Sequence, residues 1–150
     1  MYRDLLESVA DEQRRFGSQS QPGCSEAQIE RLSERVTREL AAELPDGYKE
    51  FLRLANGLDW NGVVIFASEN VPITAQQVRF VFGLVEMNLI YREDDRFARL
   101  LVFGSDGVDI YVYNNVTRAY EIYDESSHEL VETLPSFDEM MRKALRRSLQ

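Results

Sequence analysis

One histidine, one cysteine and a scatter of carboxylates are the side chains of this 150-residue chain best suited to chemistry. His128 ends the segment Asp124-Glu125-Ser126-Ser127-His128, where an imidazole could take a proton as a general base. No cysteine, serine elbow or second histidine stands near it, so the segment reads as a surface turn. Cys24 follows Gly23 and precedes a helix cap. The positive end of that helix would lower its pKa, although an ordinary exposed or half-buried thiol fits the same place. As the only cysteine it can form no internal disulfide, and CxxC-type metal or redox chemistry is excluded. Neither GxxxxGK nor GxGxxG occurs, which leaves no phosphate-cradling loop.

Glu93, Asp94, Asp95, Asp106 and Asp109 would gather near one edge if the strand and the preceding loop are neighbours. Oxygen donors suit hard cations, yet the spacing is not that of an EF-hand, and solvated turn acids explain the same residues. No metal and no cofactor is therefore expected. A hydrolase built on Asp106 and Asp109 is the weakest of the readings. To attract a basic protein the acids need no fixed geometry, because charge complementarity acts mainly on association rate and partner choice. The chain has 26 acidic and 17 basic side chains, a formal net charge of -9. That balance repels a phosphate backbone, so the expected partner is protein, such as a basic toxin domain, and not nucleic acid. Solubility alone would also account for the acidity.

These residues need elements to hold them. Tyr2, Leu5, Leu6, Val9 and Phe16 mark the buried stripe of an opening helix, and Gly17 to Gly23 is a polar linker. Ser25 with Gln28 is a capping box opening a helix through Ile29, Leu32, Val36 and Leu40. Pro45 starts a third helix with Tyr48, Phe51, Leu52 and Ala55 on one face; Gly57 is placed to end it in a left-handed conformation. A Trp60-Asn61-Gly62 turn leads to a strand over Val63 to Phe66. Thr74 with Gln77 repeats the capping box and predicts a helix through Val78, Val81, Phe82 and Val85. Strands are expected at Arg99 to Phe103, Val108 to Tyr113, Tyr120 to Tyr123 and around Leu130-Val131, with turns between. Ser136 and Glu139 cap a closing helix striped by Phe137, Met140, Met141, Leu145 and Leu149. Arg142, Lys143, Arg146 and Arg147 crowd its end, where cations suit the helix dipole.

Short turns between successive strands favour an antiparallel meander, and the helices bury their stripes on one face of it, an α+β fold. The amino terminus lacks a continuous apolar core and no run approaches a membrane span, which predicts a cytoplasmic protein. If Val108, Ile110 and Val112 face the helices, Tyr111, Tyr113 and Tyr123 line the opposite face as a docking surface. The opening helix or a second subunit could cover that face instead. Trp60 is either an interface anchor or a plug at the end of the core. Asn61 and Asn56 either contact a partner or cap backbone in their turns.

The stretch LPDGYKEFLRLANGLDWNG, Leu44 to Gly62, resembles the amino-terminal motif of the SUKH superfamily, which unites bacterial immunity proteins with the Smi–Knr cell-wall regulators of yeast. Asn88-Leu89-Ile90-Tyr91-Arg92-Glu93 is similar to a segment of its YrhA-like branch. Leu101-Val102-Phe103-Gly104, Asp109 to Asn114, Tyr120 to Asp124 and Ser136-Phe137 follow in the family's order. The resemblance runs from about Ile29 to Leu145 and leaves the opening helix and linker, residues 1–23, outside. It implies one α+β domain over 1–150 that binds proteins and performs no chemistry. In an immunity role it would neutralise a cognate toxin by direct binding. The alternative is a housekeeping interaction module with an endogenous partner or a homodimer.

Overall fold

Ser25 caps its helix as the spacing to Gln28 predicts. Its hydroxyl oxygen accepts the Gln28 N–H at 3.2 Å, and the Ser25 N–H donates to Gln28 Oε1 at 2.8 Å. Helix α2 then runs Glu26–Leu40 and buries Ile29, Leu32, Val36 and Leu40. Helix α1 (Arg3–Arg15) precedes it, and α3 (Asp46–Leu54) follows with Pro45 at its N-cap. Phe16, expected on the buried stripe of α1, lies just past its end and is 73% exposed. The structure is a computed structural model that describes residues 1–72 and 80–150.

Strands β1 (Leu58–Trp60) and β2 (Val63–Ile65) form a hairpin. Its turn residues Asn61 and Gly62 have φ of 51° and 87°, the left-handed pair that a two-residue hairpin turn needs. Three residues after Gly57 are too few to show a strand period, so β1 is invisible in the sequence where the turn is plain. A two-stranded pair, β3 (Val71–Pro72) and β4 (Phe80–Val81), comes next.

The helix expected from Thr74 lies partly outside the described residues. Its described part is corrected: Val81 is strand, and α4 (Leu84–Tyr91) begins only after Gly83. The Ala67 N–H donates to Phe82 O (2.9 Å) and the Leu84 N–H to Ala67 O (2.8 Å). This close crossing needs a glycine, since a Cβ on Gly83 would lie 2.7 Å from Glu69 Cα. Tertiary pairing here overrides the helical spacing.

After a 3-10 turn (Asp95–Phe97) come β5 (Leu100–Ser105), β6 (Asp109–Asn114), β7 (Tyr120–Asp124), β8 (Leu130–Leu134) and α5 (Phe137–Ser148). The six-stranded sheet has the order β1-β2-β5-β6-β7-β8 and is antiparallel throughout. The α+β fold with its meander is thus the observed one. Helices α3 and α5 meet the sheet through an aromatic cluster. Phe103 lies 4.9 Å from Tyr48 and 5.5 Å from Phe137 between ring centroids, and full burial of such a side chain contributes about 1.5–3 kcal/mol.

Helix α4 joins the sheet differently. Asn88, wholly buried, donates from Nδ2 to Val102 O and accepts the Val102 N–H at Oδ1, at 2.8 and 2.7 Å. A side-chain amide thereby continues the ladder just where β2 has stopped pairing with β5. Arg92 adds bonds to Leu40 O (2.6 Å) and Leu100 O (3.1 Å), tying the end of α2 to the start of β5. Among the described residues no helix is long and apolar enough to cross a membrane.

Candidate functional site

The carboxylates and tyrosines expected on one surface are divided by the fold. Asp106 follows β5, and its Oδ1 accepts the N–H groups of Val108 (3.0 Å) and Asp109 (2.8 Å). Its Oδ2 accepts from the Tyr111 hydroxyl and from Arg147 Nη1, the latter at 2.7 Å. Arg147 also reaches Asp109 Oδ2 at 3.2 Å. The Asp106 side chain is 0% exposed and that of Asp109 10%. Burial opposes ionisation of Asp106, but the Tyr111 hydroxyl, the Asp109 and Val108 N–H groups and Arg147 together outweigh it and leave the carboxyl below its ordinary value. Burial, and then the bond to Asp106, push the Tyr111 phenol up. Asp106, Asp109 and Tyr111 are therefore not surface groups, contrary to expectation. They lock the β5–β6 turn to α5.

The tyrosines do not share a face. Tyr111 pairs with Ile122 and Tyr113 with Tyr120, whereas Tyr123 pairs with Ile110; directly paired residues lie on the same side. Tyr113, half-buried, lies 5.1 Å from Tyr120, whose ring is 5.9 Å from Phe137 of α5. The face of Tyr111 and Tyr113 is thus the one α3 and α5 cover, and Ile110 and Val112 point the other way. With respect to α3 and α5 the expected orientation of β6 is reversed, while Phe97, and Tyr91 of α4 against it, pack on the Tyr123 side. Both faces of β6 are buried, so its alternation of apolar residues could not say which side the helices take. Val108, expected to face the helices, is exposed.

Trp60 is half-buried, its ring 6.1 Å from Phe16, with Nε1 buried and unpartnered among the described residues. Asn61 donates from Nδ2 to Ser148 O (3.0 Å) and Gln150 O (2.9 Å), satisfying carbonyls at the end of α5. Asn56 accepts the Ser68 N–H at 2.8 Å. Cys24 is buried, not the exposed or half-buried thiol that is the plainer of its two readings, and burial pushes the thiol up, opposite to the lowering that the helix end would give.

A second group of expected residues stays outside. Glu93 and Asp95 are exposed, and Asp94 between them caps the 3-10 turn by accepting the Arg96 N–H at 3.0 Å. Its other oxygen meets His128 Nδ1 at 2.7 Å, and Arg96 Nη1 donates to Ser127 O at 2.7 Å. The Arg96 N–H and then His128 hold the Asp94 carboxyl below its ordinary value. His128, with a φ of 58°, sets its ring edge-on to Phe97 at 4.9 Å, and Phe97 packs between Tyr91 and Tyr123. The acidic loop is therefore clamped to the β7–β8 turn, which adds Asp124, Glu125 and Glu129. Burial and the charge of Asp106 push the Glu125 carboxyl up.

Beside this clamp lies β8, the terminal strand of the sheet. Leu130 and Val131 are 52% and 57% exposed, and the pairing with β7 shifts register between Ile122 and Tyr123. Acidic side chains, a half-buried Tyr123 and an open strand edge thus come together at one end of the sheet. Among the described residues the carboxylates form no group placed to hold a metal ion. Sequence reasoning missed His128 as the clamp and Leu130-Val131 as the open edge. The only signal for the latter was a strand followed directly by a helix.

A model of the SMI1 / KNR4 family (SUKH-1) matches residues 23–143. The chain belongs to this family. The SUKH-1 match takes in α2, the whole sheet and most of α5, and leaves α1 with its linker outside. Every residue of the clamp and of the Asn88 and Asp106 anchors lies within it, except Arg147. At family level SUKH-1 proteins are of immunity or interaction type and generally non-enzymatic. No curated relative matches the chain.

Proposed function

We propose that this SUKH-1 protein is a non-enzymatic immunity protein that neutralises a cognate bacterial toxin in the cytoplasm by direct binding. The docking end is formed by Glu93, Asp95, Tyr123, Leu130 and Val131. The observation that carries this reading is the clamp of Asp94 on His128, which sets the acidic loop beside an open, partly apolar strand edge. A partner strand can add to such an edge by backbone hydrogen bonds, while the acids and the net charge of -9 steer a basic toxin domain toward it.

The test is to purify the product of the neighbouring gene, establish whether it is a toxin, and assay it with one equivalent of this protein. Inhibition is expected, and Glu93→Arg with Asp95→Arg should weaken it most at low salt. A toxin left fully active at molar excess would reject the immunity role. The same open edge favours one other reading, a homodimer joined through β8, in a housekeeping interaction module. Sedimentation gives a concentration-dependent dimer in that case and a monomer in the first.

A further inference from the structure

Helix α1 lies outside the family match, yet it forms one wall of a cleft about 200 Å³ in volume. Leu6 and Ala10 line its α1 side, and Leu54 and Leu58 line the other. Gln13 also lines it, is 4% exposed, and has its Oε1 buried with no partner among the described residues. A buried acceptor left so bears its whole desolvation penalty, which a hydrophobic residue at that position would avoid. Leucine on α1 would pack there without one. The terminal amide torsion of glutamine is broad, so rotation about it offers a ligand in the cleft that Gln13 lines a route to Oε1, which is otherwise buried.

We propose that this cleft between α1 and α3 is a binding site for a small neutral aromatic molecule with one N–H or O–H donor, of the indole or phenol class, whose donor bonds Gln13 Oε1. Size argues for one or two rings, because an apolar cavity of about 150 Å³ accepts benzene and this cleft is somewhat larger. Charge argues for a neutral ligand: of the lining residues only Arg3 and Glu7, both exposed and opposite in sign, are charged, so the lining itself carries no net charge. The apolar walls supply affinity, and the unpartnered amide oxygen of Gln13 supplies orientation, with Ser20 and Gln21 of the linker completing the lining.

Titration of the full-length protein with indole, followed by amide chemical shifts and by calorimetry, tests the assignment. Saturable shifts confined to residues 3–13, 20–21 and 54–58 are expected. Naphthalene, which lacks the donor, should bind about fivefold more weakly, and Gln13→Leu should remove that difference. Ala10→Leu, which fills the cleft from a half-buried position, should abolish the shifts while the melting temperature holds. Absence of saturation up to the solubility of indole, naphthalene binding as tightly as indole, or unchanged binding to Ala10→Leu would each overturn the proposal. N-acetyltryptophanamide separates a free molecule from a protein side chain. Tighter binding of that compound than of indole would overturn the small-molecule assignment.

Discussion

Asp106 and Asp95 carry the same side chain, and each belongs to a short turn beside the sheet, yet one is part of the interior and the other is not. Asp106 accepts two backbone N–H groups, a tyrosine hydroxyl and a guanidinium, and its own side chain is closed to water. Asp95 lies in a loop held by its neighbours Asp94 and Arg96, and its own carboxylate faces solvent. The difference is the arrival of Arg147 from α5, far along the chain. A carboxylate without a cation and N–H groups could not remain buried. One acidic region therefore stabilises the fold, and the other stays exposed to solvent. Net charge does not reveal that division.

The comparison can be broken most directly at the interior anchors. Asn88→Leu leaves both polar groups of Val102 buried without partners, and urea unfolding should show a loss of about 2–5 kcal/mol. Asp106→Ala strands Arg147 and Tyr111, and a loss of about 2–3 kcal/mol is expected, reduced because Arg147 is partly exposed. Stability of Asp106→Ala equal to the parent would show that the buried cluster contributes nothing.

Acid sharpens the same contrast. The folded Asp106 carboxyl titrates below its ordinary value, so its contribution is present above the unfolded value of about 3.9 and disappears as pH falls through the lower folded value. Unfolding free energies of the parent and Asp106→Ala should converge below about pH 4; a constant gap would remove ionisation from the account. The smallest effect on stability belongs to the exposed loop. Glu93→Arg with Asp95→Arg should shift it by less than about 0.5 kcal/mol, yet slow association with a basic partner by about tenfold at low salt. Slowing that persists in high salt would show that the loop contributes shape instead of charge.

Much of the scaffold was legible in the residues. The capping box of Ser25, the Asn61-Gly62 turn and the cap at Ser136 are local devices whose partners stand within a few residues, so spacing alone reveals them. Strand β1 and the start of α4 were not legible: the first is too short for a period, and the second is set by Ala67 pairing across Gly83. Of the expected binding residues, Glu93, Asp95 and Tyr123 remain available. Tyr111, Asp106 and Asp109 do not, because a sequence shows which residues alternate and not which face receives the helices.

By itself, then, the sequence determined the starts of α2, α3 and α5, the turns, the antiparallel meander and the acidic character, since each depends on neighbours or on totals. Only the tertiary structure decided which acids meet Arg147, that Asn88 takes over the ladder from β2, and that His128 holds the loop of Asp94. Those pairings join residues far apart in the chain. Their geometry is fixed by packing of the whole core, where an unpartnered polar group is too unfavourable to be left buried at random.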